Sequence, residues 1–234
     1  MAKKRKSSAG RRMVRWGWKF ILIVFALTVF QVFLVRFIDP PFTAMMAVDW
    51  IQGRGGTGRL ALFAKRWRPL RQVSPHLRRA VLAAEDQRFL SHRGFDLTEM
   101  KVAIKDTVLS RRFRGASTIT MQVARTVFLW PERSWVRKAA EAYYAVLIEI
   151  LWNKRRTLEI YLNTVDWGSG IVGAEAASRR YFHTSCARVS PSQAALLAAI
   201  LPNPHRWSPT DPNPQVLKRQ KRILEDMGKM PLVS

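Results

Sequence analysis

Glu85-Asp86-Gln87-Arg88-Phe89-Leu90-Ser91-His92-Arg93-Gly94 sets two adjacent acids at the end of an apolar-periodic stretch, with Phe89, His92 and Gly94 following at fixed offsets. The periodic stretch begins at Ser74-Pro75, an N-cap residue with proline at the first helical position. Leu77, Ala80, Val81 and Ala84 then recur at helical spacing and define one buried face. Glu85 therefore leaves a packed helix where the chain must turn, and Gly94 suits a tight turn. A carboxylate at the rim of a rigid element is well placed for general-base work. Taken alone, an acid at a helix end reads first as a solvated charge, so the chemical reading rests on the segments downstream.

Outward from this stretch the pattern stays helical. Asp96 caps a segment to about Ser110, with Leu97, Met100, Ala103, Ile104 and Val108 apolar and Lys101 and Lys105 polar. Arg111, Arg112 and Arg114 then surround Phe113. The segment fits a basic amphipathic helix on a membrane surface and an ordinary helix with a solvated basic face equally well. Ser134 caps a long helix to about Trp152, whose second half, Ala142 to Trp152, is apolar on nearly all sides except Glu149. That half is predicted as a buried core helix, too short for a second membrane span. Lys154 to Asn163 and Ala174 to Phe182 are further helices, parted by a loop holding Gly168, Gly170 and Gly173. Ser190-Pro191-Ser192-Gln193 combines an N-cap, an N1 proline and the glutamine of a capping box, and leads into a buried helix, Ala194 to Leu201. Prolines from Pro202 to Pro214 make the next segment irregular, and a last helix runs from Gln215 to Met227 and stops at Gly228. With no sustained alternation of β-branched residues, the fold class is mainly α.

The charge balance is one-sided: 40 Lys and Arg against 16 Asp and Glu, a formal charge of +24 over 234 residues. Such an excess points to an anionic partner. Cys186 is the only cysteine, so no intrachain disulfide forms, and cysteine use says nothing of the compartment. Lys3, Lys4, Arg5, Lys6, Arg11, Arg12, Arg15 and Lys19 precede an apolar run from Phe20 to Val35, interrupted only by Thr28 and Gln31. Trp16 and Trp18 lie where an interfacial aromatic belt belongs, and Phe37 and Ile38 extend the run toward the ~20 residues that span a bilayer. A cleaved signal peptide has a shorter apolar core and a small-residue cleavage site, whereas Arg36-Phe37-Ile38-Asp39-Pro40-Pro41 follows here. The expected organisation is a basic cytoplasmic segment (1–18), a transmembrane signal-anchor helix (19–38), a connection (39–66) containing the glycine loop Gly53 to Gly58, and an outer catalytic domain (67–230). Without the eight leading cations the remainder still carries +16. Placed outside the cytoplasm, that charge suits lipid phosphates and pyrophosphates and not nucleic acid.

Three later segments join the opening one. Gly115-Ala116-Ser117-Thr118-Ile119-Thr120-Met121-Gln122, with Arg125 a turn on, passes a glycine loop into a hydroxyl-rich helix start, a terminus that binds anions. Arg133-Ser134-Trp135-Val136-Arg137-Lys138-Ala139-Ala140-Glu141 crowds cations onto the first turns of a helix, where the macrodipole disfavours them. Arg137 and Glu141 also stand in the less favourable order for an i,i+4 pair. Breaking a local rule in this way is expected where a multiply charged anion arrives. In Lys154-x-x-x-Leu158-Glu159-x-Tyr161-Leu162-Asn163, Glu159 is spaced to pair structurally with Arg155 or Arg156.

These four segments, in this order and spacing, resemble the peptidoglycan glycosyltransferases of glycosyltransferase family 51, over roughly Trp67 to Pro209. Members occur as the glycosyltransferase domain of class A penicillin-binding proteins and as monofunctional enzymes. The resemblance implies a lysozyme-like helical fold that polymerises lipid II at the outer face of the bacterial inner membrane. It makes Glu85 the base that deprotonates the acceptor 4-hydroxyl, with inversion at the donor anomeric carbon and release of undecaprenyl pyrophosphate. Glu141 matches the second glutamate, associated with the pyrophosphate and a divalent cation, Mg2+ or Mn2+. Ser117, Thr118, Gln122, Arg125, Arg133, Arg137, Lys138 and Lys154 fall at phosphate-binding positions, and Asp86, Phe89, His92, Gly94, Gly115 and Asn163 support the motifs. Met121 stands where a glutamine is common and Arg125 where a lysine is frequent; arginine keeps the charge and adds a bidentate fork.

Two other readings stay open on the residues. A lytic transglycosylase or muramidase uses one Glu as a general acid but has no need of Arg125, Arg133, Arg137 and Lys138. A non-catalytic membrane-anchored scaffold binds cell-wall partners by charge and survives loss of Glu85. No Ser-x-x-Lys followed by Lys-Thr-Gly occurs in the 234 residues, so the monofunctional form without a transpeptidase domain is expected, along with unidentified cell-wall synthesis partners.

Overall fold

The computed structural model describes residues 8–51, 66–110, 117–132, 134–168 and 170–233, and its regular structure is helical. Among the described residues the only β pairing is two isolated bridges, Arg93 with Phe95 and Asp166 with Val172. The helices are α1 (Ser8–Phe37), α2 (Ala44–Ile51), α3 (Pro75–Glu85), α4 (Leu97–Ser110), α5 (Ile119–Phe128), α6 (Trp135–Leu151), α7 (Lys154–Thr164), α8 (Ala174–Phe182), α9 (Pro191–Ile200) and α10 (Pro214–Met227).

Most of these begin where a side chain satisfies the free N–H groups of the first turn. Ser74 caps α3, Ser134 caps α6, and Ser190 with Gln193 closes the capping box of α9. Asp96 Oδ1 accepts from the N–H groups of Thr98 and Glu99 at 3.0 Å each, starting α4 as expected. The segments 53–58 and 111–115 lie outside the described residues.

Two helix groups meet at the site. In one, α9 packs against α3 and α10, and α10 against α3. Ala194, Ala195, Leu197, Ala198, Ala199 and Ile200 are wholly buried, so small side chains let α9 run through the core. In the other, α5 packs against α6 and α7. Phe128 of α5 stacks on Tyr144 of α6 at 4.8 Å between centroids, nearly parallel. Glu85, the last residue of α3, stands where the first group faces α5 of the second.

The span Arg11–Phe37 is long and apolar enough to cross a membrane. Its distal half docks on α6 through the two residues that interrupt its apolar run. Thr28 Oγ1 and Tyr143 Oη are 2.6 Å apart, and Tyr144 Oη donates to Gln31 Oε1 at 3.4 Å. Trp152 Nε1 donates to Val32 O at 2.8 Å, and Val32 is fully buried. This docking corrects one expectation. The second half of α6 is not buried all round: Val146 is 45 % and Ile150 71 % exposed. They follow Tyr143, which meets Thr28 of α1, at i+3 and i+7 on one side of α6. Periodicity registers apolar residues on every side of α6 but not that one side accompanies a membrane-spanning helix.

Candidate active site

Glu85 is half-buried, and its carboxylate Oε2 accepts from Gln122 Nε2 at 2.9 Å. Tyr161 of α7, almost fully buried, places its hydroxyl 3.3 Å from Gln122 Oε1. Burial pushes the Glu85 carboxyl above its ordinary range; the Gln122 N–H and the guanidinium groups of Arg219 and Arg125 pull back, while Asp86 pushes further up. Desolvation and the surrounding cations thus act on Glu85 in opposite directions, and desolvation prevails. Gln122, expected among the phosphate ligands, touches the carboxylate.

Asp86, one residue on, has a different task. It is buried, its Oδ1 and Oδ2 lie 2.8 and 3.0 Å from His92 Nε2, and Oδ2 accepts from Ile119 N at 3.0 Å. One carboxylate therefore ties the turn after α3 to the first turn of α5. Thr118 strengthens the tie: its Oγ1 donates to Gly94 O at 2.6 Å and accepts from Met121 N at 3.2 Å. Gly94 has φ +82°, which strains any other residue, and a Cβ there would also crowd Glu149 Cγ at 3.0 Å. Glu149 Oε1 accepts from Thr120 Oγ1 at 2.7 Å and from Lys154 Nζ at 2.8 Å, and Lys154 rests 4.6 Å over the buried Phe89 ring. Phe89, His92, Gly94, Thr118 and Lys154 thus meet in one brace under α5. Asn163 braces the opposite side, accepting from Arg68 N and donating to Arg68 O, both at 2.9 Å. Glu159 pairs with Arg156 at 2.6 Å, one of its two expected partners.

The third segment builds a cation cluster. Ser134 Oγ accepts from Arg137 N at 3.1 Å, starting α6 so that Arg137, Lys138 and Glu141 fall on neighbouring positions of its first turns. Glu141, 2 % exposed, is paired with Arg137 Nη1 and, at 2.8 Å, with Lys138 Nζ. Lys138 also donates to Ser117 Oγ at 3.3 Å. Burial, then Arg125 and Arg137, push the Lys138 ammonium below the ordinary lysine range. The Arg125 charge, one turn after Gln122 on α5, bears on both Glu85 and Lys138. Gly115 and Arg133 lie outside the described residues.

For a metal, the geometry offers little at Glu141. A divalent cation of this type demands several oxygen ligands, whereas Glu141 supplies one carboxylate already facing two cations. Among the described residues, Asp86, His92 and Asp96 are the group whose ligand atoms lie close enough together, within 4.8 Å, to hold an ion. Asp86 and His92 already bond each other there, and Asp96 caps α4 and pairs with Arg88 at 3.4 Å.

Two residues of the site escaped the sequence reading. Arg219 of α10 bears electrostatically on Glu85 and donates from Nε to Ala199 O at 3.1 Å. It stands among Lys218, Lys221 and Arg222 on a basic helix, with no local mark to single it out. Glu175, 1 % exposed, accepts from Arg68, Arg179 and Cys186 N and holds the chain before α3 to α8.

A helical scaffold holds the Glu85 carboxylate against Gln122 of α5 and gathers Arg137, Lys138 and Glu141 at the start of α6, and α6 also meets a helix long and apolar enough to cross a membrane. A family model described as transglycosylase matches residues 58–228, and the chain belongs to that family. It is 46 % identical over 207 residues to the biosynthetic peptidoglycan transglycosylase of Caulobacter vibrioides, covering 88 % of this chain and 87 % of that protein. Proteins of the same description from Rhodospirillum centenum and Bacteroides thetaiotaomicron are 47 % and 41 % identical, over 82 % and 94 % of this chain and 81 % and 89 % of theirs.

Proposed function

We propose that the protein is a peptidoglycan glycosyltransferase that polymerises lipid II into β-1,4-linked glycan strands. The observation that carries this reading is Glu85 held by Gln122 of α5, one turn before Arg125, while α6, packed on α5, gathers Arg137 and Lys138 around Glu141. Glu85 takes the proton from the acceptor 4-hydroxyl as that oxygen forms its bond to the donor anomeric carbon. The bond from this carbon to the pyrophosphate oxygen breaks on the opposite face, which inverts the centre, and the electron pair leaves with undecaprenyl pyrophosphate. The leaving group needs no proton, only positive charge, and Arg125, Arg137 and Lys138, with the Ser117 hydroxyl, are positioned to supply it. Glu141 holds Arg137 and Lys138 in place between turnovers. A divalent cation would have to bring further oxygens with the pyrophosphate, because Glu141 alone does not complete its shell, and no step here depends on one.

The same reading assigns residues 67–230 to catalysis at the outer face of the inner membrane, with the basic N-terminus cytoplasmic. The lytic alternative lacks a use for three clustered cations. Purified full-length protein in detergent, given labelled lipid II with and without a divalent cation, tests the proposal against Glu85→Gln. Wild-type product that lysozyme digests, lost in the variant, supports it. Polymer from both proteins removes Glu85 from the mechanism, and shortening of preformed glycan in place of polymer overturns the biosynthetic direction.

A further inference from the structure

We propose that Tyr161 is a positioning residue for this reaction: its buried hydroxyl fixes the amide of Gln122 so that an N–H, and not the carbonyl, faces Glu85. The inference rests on the reading of Glu85 as the base. An amide can present either end, and its neighbours decide which. Glu85, when ionised, has only acceptors to offer, so it calls for Gln122 Nε2, found at 2.9 Å. On the other side the Tyr161 hydroxyl, 3.3 Å from Oε1, has one proton to give, and Gln122 Oε1 takes it. Each contact fixes the other, and the pair forms a directed chain from the core to the carboxylate.

Tyr161 suits this task because it cannot ionise or move. Its side chain is 2 % exposed, and burial, together with the Glu85 charge, keeps the phenol well above its ordinary range. It therefore stays a donor through the working pH range. A phenylalanine fills the same space and lacks only the hydroxyl, after which Gln122 is free to turn its carbonyl toward Glu85. That orientation repels the carboxylate and favours the protonated acid, which accepts no proton from the acceptor sugar.

The groups that face Glu85 separate this effect from general electrostatics. Arg125 comes from α5, Arg219 from α10 and Asp86 from the chain itself, while Tyr161 of α7 reaches Glu85 through Gln122. The helix α9 packed against α3 carries no ionisable side chain. Substituting Tyr161 therefore changes no charge around the carboxylate.

The experiment measures kcat/KM for lipid II polymerisation against pH in Tyr161→Phe, Gln122→Met and the double variant, with Glu85→Gln alongside. Expected are an acid limb displaced to higher pH in each, with a loss of about threefold or more on the acid side and a smaller loss on the plateau. The double variant should match Gln122→Met, because Tyr161 acts only through that amide. Should Tyr161→Phe fail to fold, Gln122→Met alone carries the test, and an unmoved acid limb there overturns the proposal. Losses that are uniform across pH, or that add in the double variant, make Tyr161 a packing residue and overturn it too. Polymer formed by Glu85→Gln would instead bring down the reading of the base, independently of what Tyr161→Phe does.

Discussion

Replacing Arg156 by methionine should release the end of the anchor helix from the catalytic domain. The guanidinium of Arg156 donates to Val35 O from Nε at 3.1 Å and from Nη2 at 2.9 Å, and to Ile38 O at 3.0 Å. Val35 and Ile38 lie at the C-terminal end of α1, where carbonyls have no partner further along the helix and attract a cation. Nη1 reaches Asp39 at 2.7 Å and Glu159 at 2.6 Å. The Asp39 side chain is half-exposed, so that contact counts for little. Glu159 keeps a bond from Leu70 N at 2.7 Å after the change. The cost is therefore set by two carbonyls stripped of a charged donor, at about 1–3 kcal/mol each, giving a total of about 2–6 kcal/mol. For a chain of this size that lowers the thermal midpoint by about 5–15 °C. Near-ultraviolet circular dichroism in detergent follows the transition, since Trp67 lies 5.8 Å from the guanidinium and Trp152 bonds the same stretch of α1. Limited proteolysis around residues 39–43 should accelerate in parallel. Arg156→Lys restores a point charge without the fork and should recover less than half of the loss. A methionine variant that melts within about 1 °C of wild type, with unchanged proteolysis, refutes the docking of α1 argued above.

Other perturbations test single contacts. Because burial raises the folded pKa of Glu85 above its unfolded value, the folded state holds a proton the unfolded one has released, and stability falls as pH rises through that window. Glu85→Gln should therefore melt at or above the wild-type temperature at pH 7.5, measured by calorimetry, while losing polymerisation. Glu175 runs the other way: burial pushes its carboxyl up, but the Cys186 N–H, Arg179 and Arg68 outweigh it and leave it below the ordinary range. Its contribution is present above the unfolded carboxylate pKa and lost as pH falls through the folded one. Glu175→Ala, which removes the acceptor of the buried Cys186 N–H and the carboxylate paired with Arg68 and Arg179, should cost about 1–3 kcal/mol in urea unfolding at pH 7 and flatten the acid loss of stability. Cys186 is fully buried, and burial and then Glu175 push its thiol up to about 12, so maleimide should leave it unmodified in the native protein at pH 7.5 and label it in urea.

How much of this could be read from the chain follows from the range of each interaction. Ser74, Asp96, Ser134 and Ser190 cap their helices from within four residues, and a sequence displays such bonds directly. The four chemical segments were legible as segments for the same reason. Their internal division of labour was not. Asp86 and Glu85 are neighbours of the same type, yet one ties α5 to the turn and the other faces Gln122, because Ile119 N and His92 approach one residue and not the next. Gln122 and Lys154 look equally like phosphate ligands in a basic chain; only the tertiary structure reveals that the first meets Glu85 and the second Glu149.

Cations at the start of α6 violate the macrodipole preference, and a local reading takes this as the mark of an arriving anion. The structure adds the condition that makes the violation tolerable. Glu141, one turn further along, neutralises part of the charge from inside the protein while Lys138 remains partly exposed toward Ser117. An unpaired Arg137 at 8 % exposure would face the full cost of a buried cation, whereas its pairing with Glu141 offsets that cost and, with Lys138, still leaves the start of α6 net positive. The same helix receives the membrane anchor at Tyr143, Tyr144 and the adjoining Trp152. One rigid element thus carries both the contact with the membrane-length helix and the cation cluster. In the reaction proposed above the donor's lipid and its pyrophosphate are joined covalently, so a single helix that served both would set the height of the reacting carbon relative to Glu85.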